Sequence, residues 1–347
     1  MGRNDPATAP DPLGGWSCTV KEIPDAFIVP PAVAAPELYC GVFTDAGKHV
    51  PRGATWLRGK PVTLPPETVP NVVRKLDGEW LWGGVIYGHF GHFLTESIAR
   101  LWAVSERRER LSGVIFVDKY GRDAAAVPGF IFELFQHLIG DLPVMILNDC
   151  TQVTHLHVPG QGFGLGHMST GTRAFRRFIS DDFARGVKPE GPERLFITRS
   201  QLGQGGQGLV GEAIFDDRMA RAGYEIFAPE THDLTTQIAR YRAAKMVVGL
   251  DGSAFHLFGL VAQKEQKVGV ILRREKIRSR GMRTQLEAFA GRPPHVIDAL
   301  GGKAEIDDFT LIKIGAQLKK AGLIGAGVNW GALTAEEREF IAVEAKG

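Results

Sequence analysis

The sequence predicts an α/β protein of two units in succession, the second a compact doubly wound unit. Three features of the chain point to this. Short apolar runs alternate with stretches of helical periodicity in two separate series. A segment bearing Gly, Pro and charge, GVKPEGP at 186–192, stands between the series and reads as a linker. The 347 residues are enough for two domains of ordinary size, each with its own core.

Residues 1–23 begin MGRNDPATAPDPLGG, read as a flexible tail, and lack the apolar core of a signal peptide. Residues 24–65 are rich in Pro, with short β-like runs at 26–29 and 38–43, which predicts an irregular N-terminal layer. EWLWGGVIY at 79–87 is a strand by its aromatic and β-branched content. Phe93, Leu94, Ile98, Leu101 and Trp102 then recur at helical spacing, so a helix is expected from about Gly91. Strands follow at 113–117, 143–147 and 153–158, and helices at 130–139 and 170–184. Beyond the linker, strands are expected at 194–198, 224–228, 245–250 and 267–272. Helices are expected at 211–222, stopped by Gly223, and at 234–244 and 254–261. Residues 281–347 read as mostly helical, with Thr334 and Glu337 forming a capping box before the last helix. The expected divisions are 1–23, 24–187, 188–280 and 281–347.

Hydrophobic residues make up 44% and charged residues 23%, which suits a globular enzyme and excludes a disordered chain. A formal net charge of +2 gives no argument for nucleic acid as a partner. Arg107 with Arg108, and Arg273 with Arg274, read first as solvated faces, although the second pair lies beside the anion site described next. Cys18, Cys40 and Cys150 have neither metal-ligand nor redox spacing and are expected as buried, reduced thiols of a cytoplasmic protein. No apolar stretch is long enough for a transmembrane helix.

The clearest chemical feature is KMVVGLDGSAFHLFG, an apolar strand that ends in a small-residue turn and opens a helix. Ligands of open α/β sheets bind at the carboxyl ends of strands, and a helix N-terminus presents free N–H groups to a phosphate. Gly252 permits close approach, Ser253 adds a hydroxyl and Ala254 starts the helix. The bland alternative is a tight turn with Ser253 as N-cap. Arg199 and Ser200 fall just beyond another strand end, where an Arg fork suits phosphate oxygens. The Gly-rich run QLGQGGQG at 201–208 is either a ligand-covering loop or a surface loop, and is not a P-loop. Pro229 and Glu230 end a third strand, where Glu230 is placed to accept from a ribose hydroxyl. Gln237 is either an exposed helix residue or a ligand donor, and Asp233 a helix cap.

A second constellation is His89, His92 and Glu96. His92 and Glu96 are one helical turn apart, so a carboxylate there can orient an imidazole that takes a proton from a hydroxyl. The alternative is a solvated surface pair, which the neighbours Phe90, Phe93 and Leu94 disfavour. A metal reading of His89, His92 and Glu96 ranks lower, since two histidines one turn apart are missing. The chain also has no Asp-x-Asp, which fits phosphate neutralised by Arg and helix dipole without metal.

These motifs resemble glycosyltransferase family 61. GHFGHFLTESIARLW matches the family's N-x-x-H-F-x-x-E and Arg-Leu-Trp with His92, Glu96, Arg100, Leu101 and Trp102. ITRS supplies Arg199, and GLVGEAIF supplies Glu212, with Gly211 where the family has Asn and without its Arg. Pro229, Glu230 and Gln237 match a third motif. GLDGSA matches the fourth, Gly-x-His-Gly-Ala, with Asp251 in place of His. The resemblance covers roughly residues 75–275.

It implies a GT-B-like architecture, two Rossmann-like domains facing across a cleft with C-terminal helices, which can cross back to the first domain. It further implies inverting transfer from a nucleotide-sugar, a UDP-sugar in known members, to a glycan or lipid-linked glycan in surface polysaccharide synthesis. Peripheral association with the inner membrane stays open. His92 and Glu96 are then the catalytic candidates. Arg199, Ser200, Glu230, Gln237, Asp251, Gly252, Ser253 and Ala254 are the donor-binding candidates, with His89, Glu212 and His256 as further ones. No cofactor or metal is expected. Two other readings are a catalytically inactive nucleotide-sugar-binding subunit of an assembly complex and a metal-dependent hydrolase using His89, His92 and Glu96.

Overall fold

A computed structural model of the chain describes residues 8–32, 37–202 and 209–345. The chain divides into two compact units, Met1–Arg185 and Gly186–Gly347. Both are mixed α/β.

The main sheet of the first unit has six strands: β1 (Val20–Val29), β2 (Gly41–Phe43), β3 (Arg74–Ile86), β4 (Leu111–Asp118), β5 (Val144–Leu147) and β6 (Thr151–Pro159). Their order is β2–β1–β6–β3–β4–β5. The last four run parallel, and β1 pairs antiparallel with both β6 and β2. Helices α1 (Gly129–Ile139) and α2 (Arg173–Asp181) complete the unit. The strand order reverses between β3 and β6, so their carboxyl ends form a switch point.

The N-terminal region is more regular than its Pro content predicts. The segment expected as a tail through residue 23 already holds Trp16, buried against Ala54 and Trp56, and the start of β1. Pro24 sits inside β1, where the next residue, Asp25, breaks the strand locally with φ 47°. The apolar positions Ile23, Ala26 and Ile28 face the core with Val153, Leu156 and Val158 of β6, and this packing overrides the poor strand propensity of Pro.

The larger correction concerns the helix expected from Gly91. The apolar spacing is real, because Phe93, Leu94, Ile98, Leu101 and Trp102 are all buried. The backbone is nevertheless not one α-helix. A single turn, Phe90–His92, passes into a π-helical turn, Phe93–Ser97, and then into turns and a 3₁₀ segment, Leu101–Ala103. The Thr95 hydroxyl lies 2.8 Å from Gly91 O, inside the turn where the helical ladder would run.

The second unit has five strands, all parallel: β7 (Arg194–Ile197), β8 (Glu225–Phe227), β9 (Met246–Leu250), β10 (Lys267–Ile271) and β11 (His295–Ile297). Their order, β8–β7–β9–β10–β11, is that of a doubly wound sheet whose direction of winding switches between β7 and β9. Helices α3 (Glu212–Arg221), α4 (Leu234–Ala243), α5 (Ala254–Val261), α6 (Arg280–Ala290), α7 (Asp308–Lys320) and α8 (Ala335–Glu344) alternate with and follow the strands. The stretch after 281, read as mostly helical, thus supplies a fifth strand. Phe196, Val248, Leu250 and Ile271 of the sheet share one core with Phe215, Ile314, Leu318 and Ile341 from the helices and with Trp330 from the connection before α8.

Local signals hold well here. Thr334 and Glu337 form the capping box of α8, Asp233 caps α4 through Thr236 N, and Gly223 ends α3 with φ 84°. Cys40 and Cys150 are buried thiols, whereas Cys18 is exposed. Among the described residues no helix is long and apolar enough to cross a membrane. Most of the Gly-rich run, residues 203–208, lies outside the described residues, as do residues 1–7 of the N-terminal segment.

Candidate functional site

In the first unit, β3 ends at Ile86 and the chain turns through Tyr87 and Gly88 into the irregular segment that bears His89, His92 and Glu96. Glu96 is fully buried, and three donors surround its carboxylate. Leu165 N donates to Oε1 at 3.0 Å, the Thr95 hydroxyl lies 2.6 Å from Oε2, and His92 Nδ1 lies 2.9 Å from Oε2. Such a carboxylate is satisfied as an anion, and it fixes His92 with a proton on Nδ1. His92 keeps 37% of its side chain exposed, so with Nδ1 on Glu96 the ring stays partly open to solvent. That is the arrangement of a general base with an orienting carboxylate.

Leu165 reaches Glu96 because it follows β6, across the switch point from β3. Neither Thr95 nor Leu165 was singled out from sequence, and only the fold brings the latter near. His89 lies edge-on to His92 with ring centroids 5.4 Å apart, and burial followed by the neighbouring His92 pushes its pKa down. Two other members of the His–Glu–Arg–Leu–Trp run are anchors. Arg100 is completely buried and donates to Arg52 O at 3.0 Å and Ala54 O at 2.6 Å, and burial pulls its pKa down to about 9. Trp102 Nε1 donates to Gly160 O at 3.0 Å. Among the described residues no three His, Cys, Asp or Glu side chains converge as metal ligands.

In the second unit, the carboxyl ends of β7 and β9 bring Arg199 to Gly252. A Cβ on Gly252 would lie 2.6 Å from Arg199 Nη1, so only Gly lets the guanidinium lie against this turn. Ser253 and Ala254 then open α5. Arg199 Nε is 3.9 Å from Glu212 Oε1, and both atoms are buried without a hydrogen-bond partner in the described structure. Burial pushes the Glu212 carboxyl up, against the pull of Arg199 and Arg273.

Asp251 does not face this space as a lone anion. Its Oδ1 accepts from Arg273 N at 2.8 Å, its carbonyl accepts from Arg273 Nη2 at 2.7 Å, and Arg274 Nε lies 3.5 Å from Oδ2. Burial still raises its pKa, opposed by those arginines. Arg273 is itself buried, and burial first, then Arg199, draws its pKa down. The Arg273 and Arg274 pair, read first as a solvated face, is therefore part of the cluster: Asp251 draws both toward the end of β9.

The remaining candidates fall in three ways. The Ser200 hydroxyl donates to Asp216 Oδ2 at 2.6 Å, so it fastens the turn after β7 to α3. Gln237 is buried and spends its amide N–H groups on Pro229 O and His232 O, both at 2.9 Å, which shapes the turn after β8. Glu230 stands exposed on that turn. His256 pairs through Nδ1 with Gln285 Oε1 at 2.7 Å and so ties α5 to α6. Sequence reasoning missed Asp216, whose carboxyl is pushed up by burial and held by Ser200.

The sequence model of a family described as Glycosyltransferase 61 matches residues 90–268, just over half of the chain. The matched segment begins at the His92–Glu96 turn and runs past the Arg199–Gly252 cluster to β10. No curated protein matches the chain significantly.

Proposed function

The chain belongs to glycosyltransferase family 61, and we propose that it is an inverting enzyme that moves a sugar from a UDP-sugar to a glycan acceptor. The observation that carries the reading is the His92–Glu96 pair, with Nδ1 on a buried carboxylate and the His92 ring partly exposed. In this reading His92 Nε2 takes the proton of the acceptor hydroxyl. The acceptor oxygen forms its bond to the anomeric carbon as the bond from that carbon to the diphosphate oxygen breaks on the opposite face. The electron pair leaves with the diphosphate, and configuration inverts.

The departing charge is met in the second unit by Arg199, Gly252 and the start of α5, with Arg273 and Arg274 behind them. Fixed donors of this kind act on charge that develops in the transition state. Glu230 supplies an acceptor for a ribose hydroxyl. In this reading the first unit serves the acceptor and the second the donor, and the product enters surface polysaccharide.

A thermal-shift screen of the purified chain against UDP-, GDP-, CMP- and dTDP-sugars tests the donor assignment. A bound nucleotide raises the melting temperature by linkage, and the UDP-sugars are expected to give the largest shift. A shift confined to another base removes UDP, and transfer or donor hydrolysis absent with every donor removes the enzymatic reading.

A further inference from the structure

Lys119 follows β4 directly, and its backbone N–H donates to Ile86 O at 3.0 Å, so it sits beside the carboxyl end of β3. Its ammonium lies 5.2 Å from the ring centroid of Tyr87 and 5.2 Å from that of Tyr120. Two aromatic faces hold it in place without neutralising it. Among the described residues no carboxylate pairs with it. The nearby Asp118 carboxylate is fully buried and already bound by Arg122, Nε and Nη2 both at 2.9 Å. Lys119 thus presents a held, half-buried cation with no internal counter-charge.

The position of this cation decides its use. Tyr87 also neighbours His92, with ring centroids 5.5 Å apart. Lys119 and the proposed base therefore contact the same ring, at the same end of the same two strands. Tyr120, over whose ring Arg122 also lies at 4.9 Å, is an exposed aromatic residue, suited to contact with the C–H face of a pyranose.

We propose that Tyr87, Lys119 and Tyr120 form an acceptor subsite that selects an anionic glycan, one with a carboxylate or phosphate close to the hydroxyl that reacts at His92. The proposal rests on the transferase reading and names its acceptor class. Tyr87, itself buried, holds Lys119 in place, Tyr120 meets the sugar, and Lys119 donates a charge-assisted hydrogen bond to the anion.

The test titrates the full chain with methyl β-glucuronide, methyl β-glucoside and glucose 1-phosphate, observing the sugar by NMR, with UDP binding measured on the same samples by calorimetry. The anionic probes are expected to bind about tenfold more tightly than the glucoside, the effect of one charge-assisted hydrogen bond. Lys119→Met removes that preference and leaves UDP binding intact, and Lys119→Arg retains the preference. Tighter binding of the glucuronide places the anion on the sugar itself, and tighter binding of the phosphate places it on a carrier; either supports the subsite. Equal affinity for all three probes, or a preference that survives in Lys119→Met, overturns it. A chain that binds UDP without anion preference loses only this inference, whereas one that binds neither UDP nor the probes loses the reading beneath it too.

Discussion

The two candidate sites differ in how their polar groups are satisfied. Glu96 in the first unit is surrounded by donors, from Leu165 N, Thr95 and His92. In the second unit Arg199 Nε and Glu212 Oε1 are buried without hydrogen-bond partners among the described residues. A fully satisfied network is rigid and fixes one tautomer, which suits proton transfer. A buried guanidinium with an unsatisfied donor is costly alone and gains when an anion meets it, which suits binding. The backbones differ in the same sense. The first site is built on a π-turn, where local regularity is given up to direct side chains, and the second on regular strand ends of a parallel sheet.

The sharpest way to break this contrast is Glu96→Gln. The amide nitrogen it introduces meets either Leu165 N–H or His92 Nδ1, and the latter contact reverses the imidazole tautomer. Turnover is expected to fall by about 10²–10⁴, with nucleotide affinity unchanged, in steady-state kinetics paired with calorimetry. Normal turnover in that variant removes Glu96 as the orienting group. Arg199→Ala should do the reverse and weaken UDP binding about 10–100-fold, the loss of a charge-assisted contact; an unchanged Kd takes Arg199 out of the site.

Gly252→Ala sharpens the second half. Its methyl would press on Arg199 Nη1 at 2.6 Å, so the guanidinium has to move while the sheet stays folded. A loss of UDP affinity of about tenfold or less, with an unchanged circular dichroism spectrum, is expected. Equal affinity means the close approach has no part in binding.

The smallest effect concerns pH. Burial raises the Glu212 carboxyl above its unfolded value, so the folded state holds more proton between the two values. Stability attributable to Glu212 is therefore lost as pH rises through the folded pKa, and it returns as pH falls. Glu212→Gln should raise Tm at pH 7, with the gain shrinking as pH falls toward the ordinary carboxylate range. A Tm difference that does not change with pH contradicts the burial account.

The second site was legible because its signals are local. An apolar run ending in Asp251, Gly252 and Ser253, and Arg199 after another such run, sit on the elements their own neighbours specify. The first site was only half legible. Spacing gave the buried face of Phe93, Leu94 and Ile98, but the π-turn depends on Thr95 reaching back to Gly91, and Glu96 depends on Leu165, far along the chain. Arg273 and Arg274 looked like a solvated pair, since nothing in their own segment shows that Asp251 receives them. Gln237 was weighed as a ligand donor, and the turn at Pro229 took its amide. Pro24 argued against the strand that core packing on β6 imposes.

The division of labour between the two units is tested most directly by one pair of readings on His92→Ala: sugar transfer rate and UDP affinity on the same preparation. Transfer is expected to fall by about 10²–10⁴ with UDP affinity at the wild-type value. Transfer that continues at the wild-type rate, or UDP affinity that falls together with it, contradicts the assignment of proton transfer to the first unit and donor binding to the second.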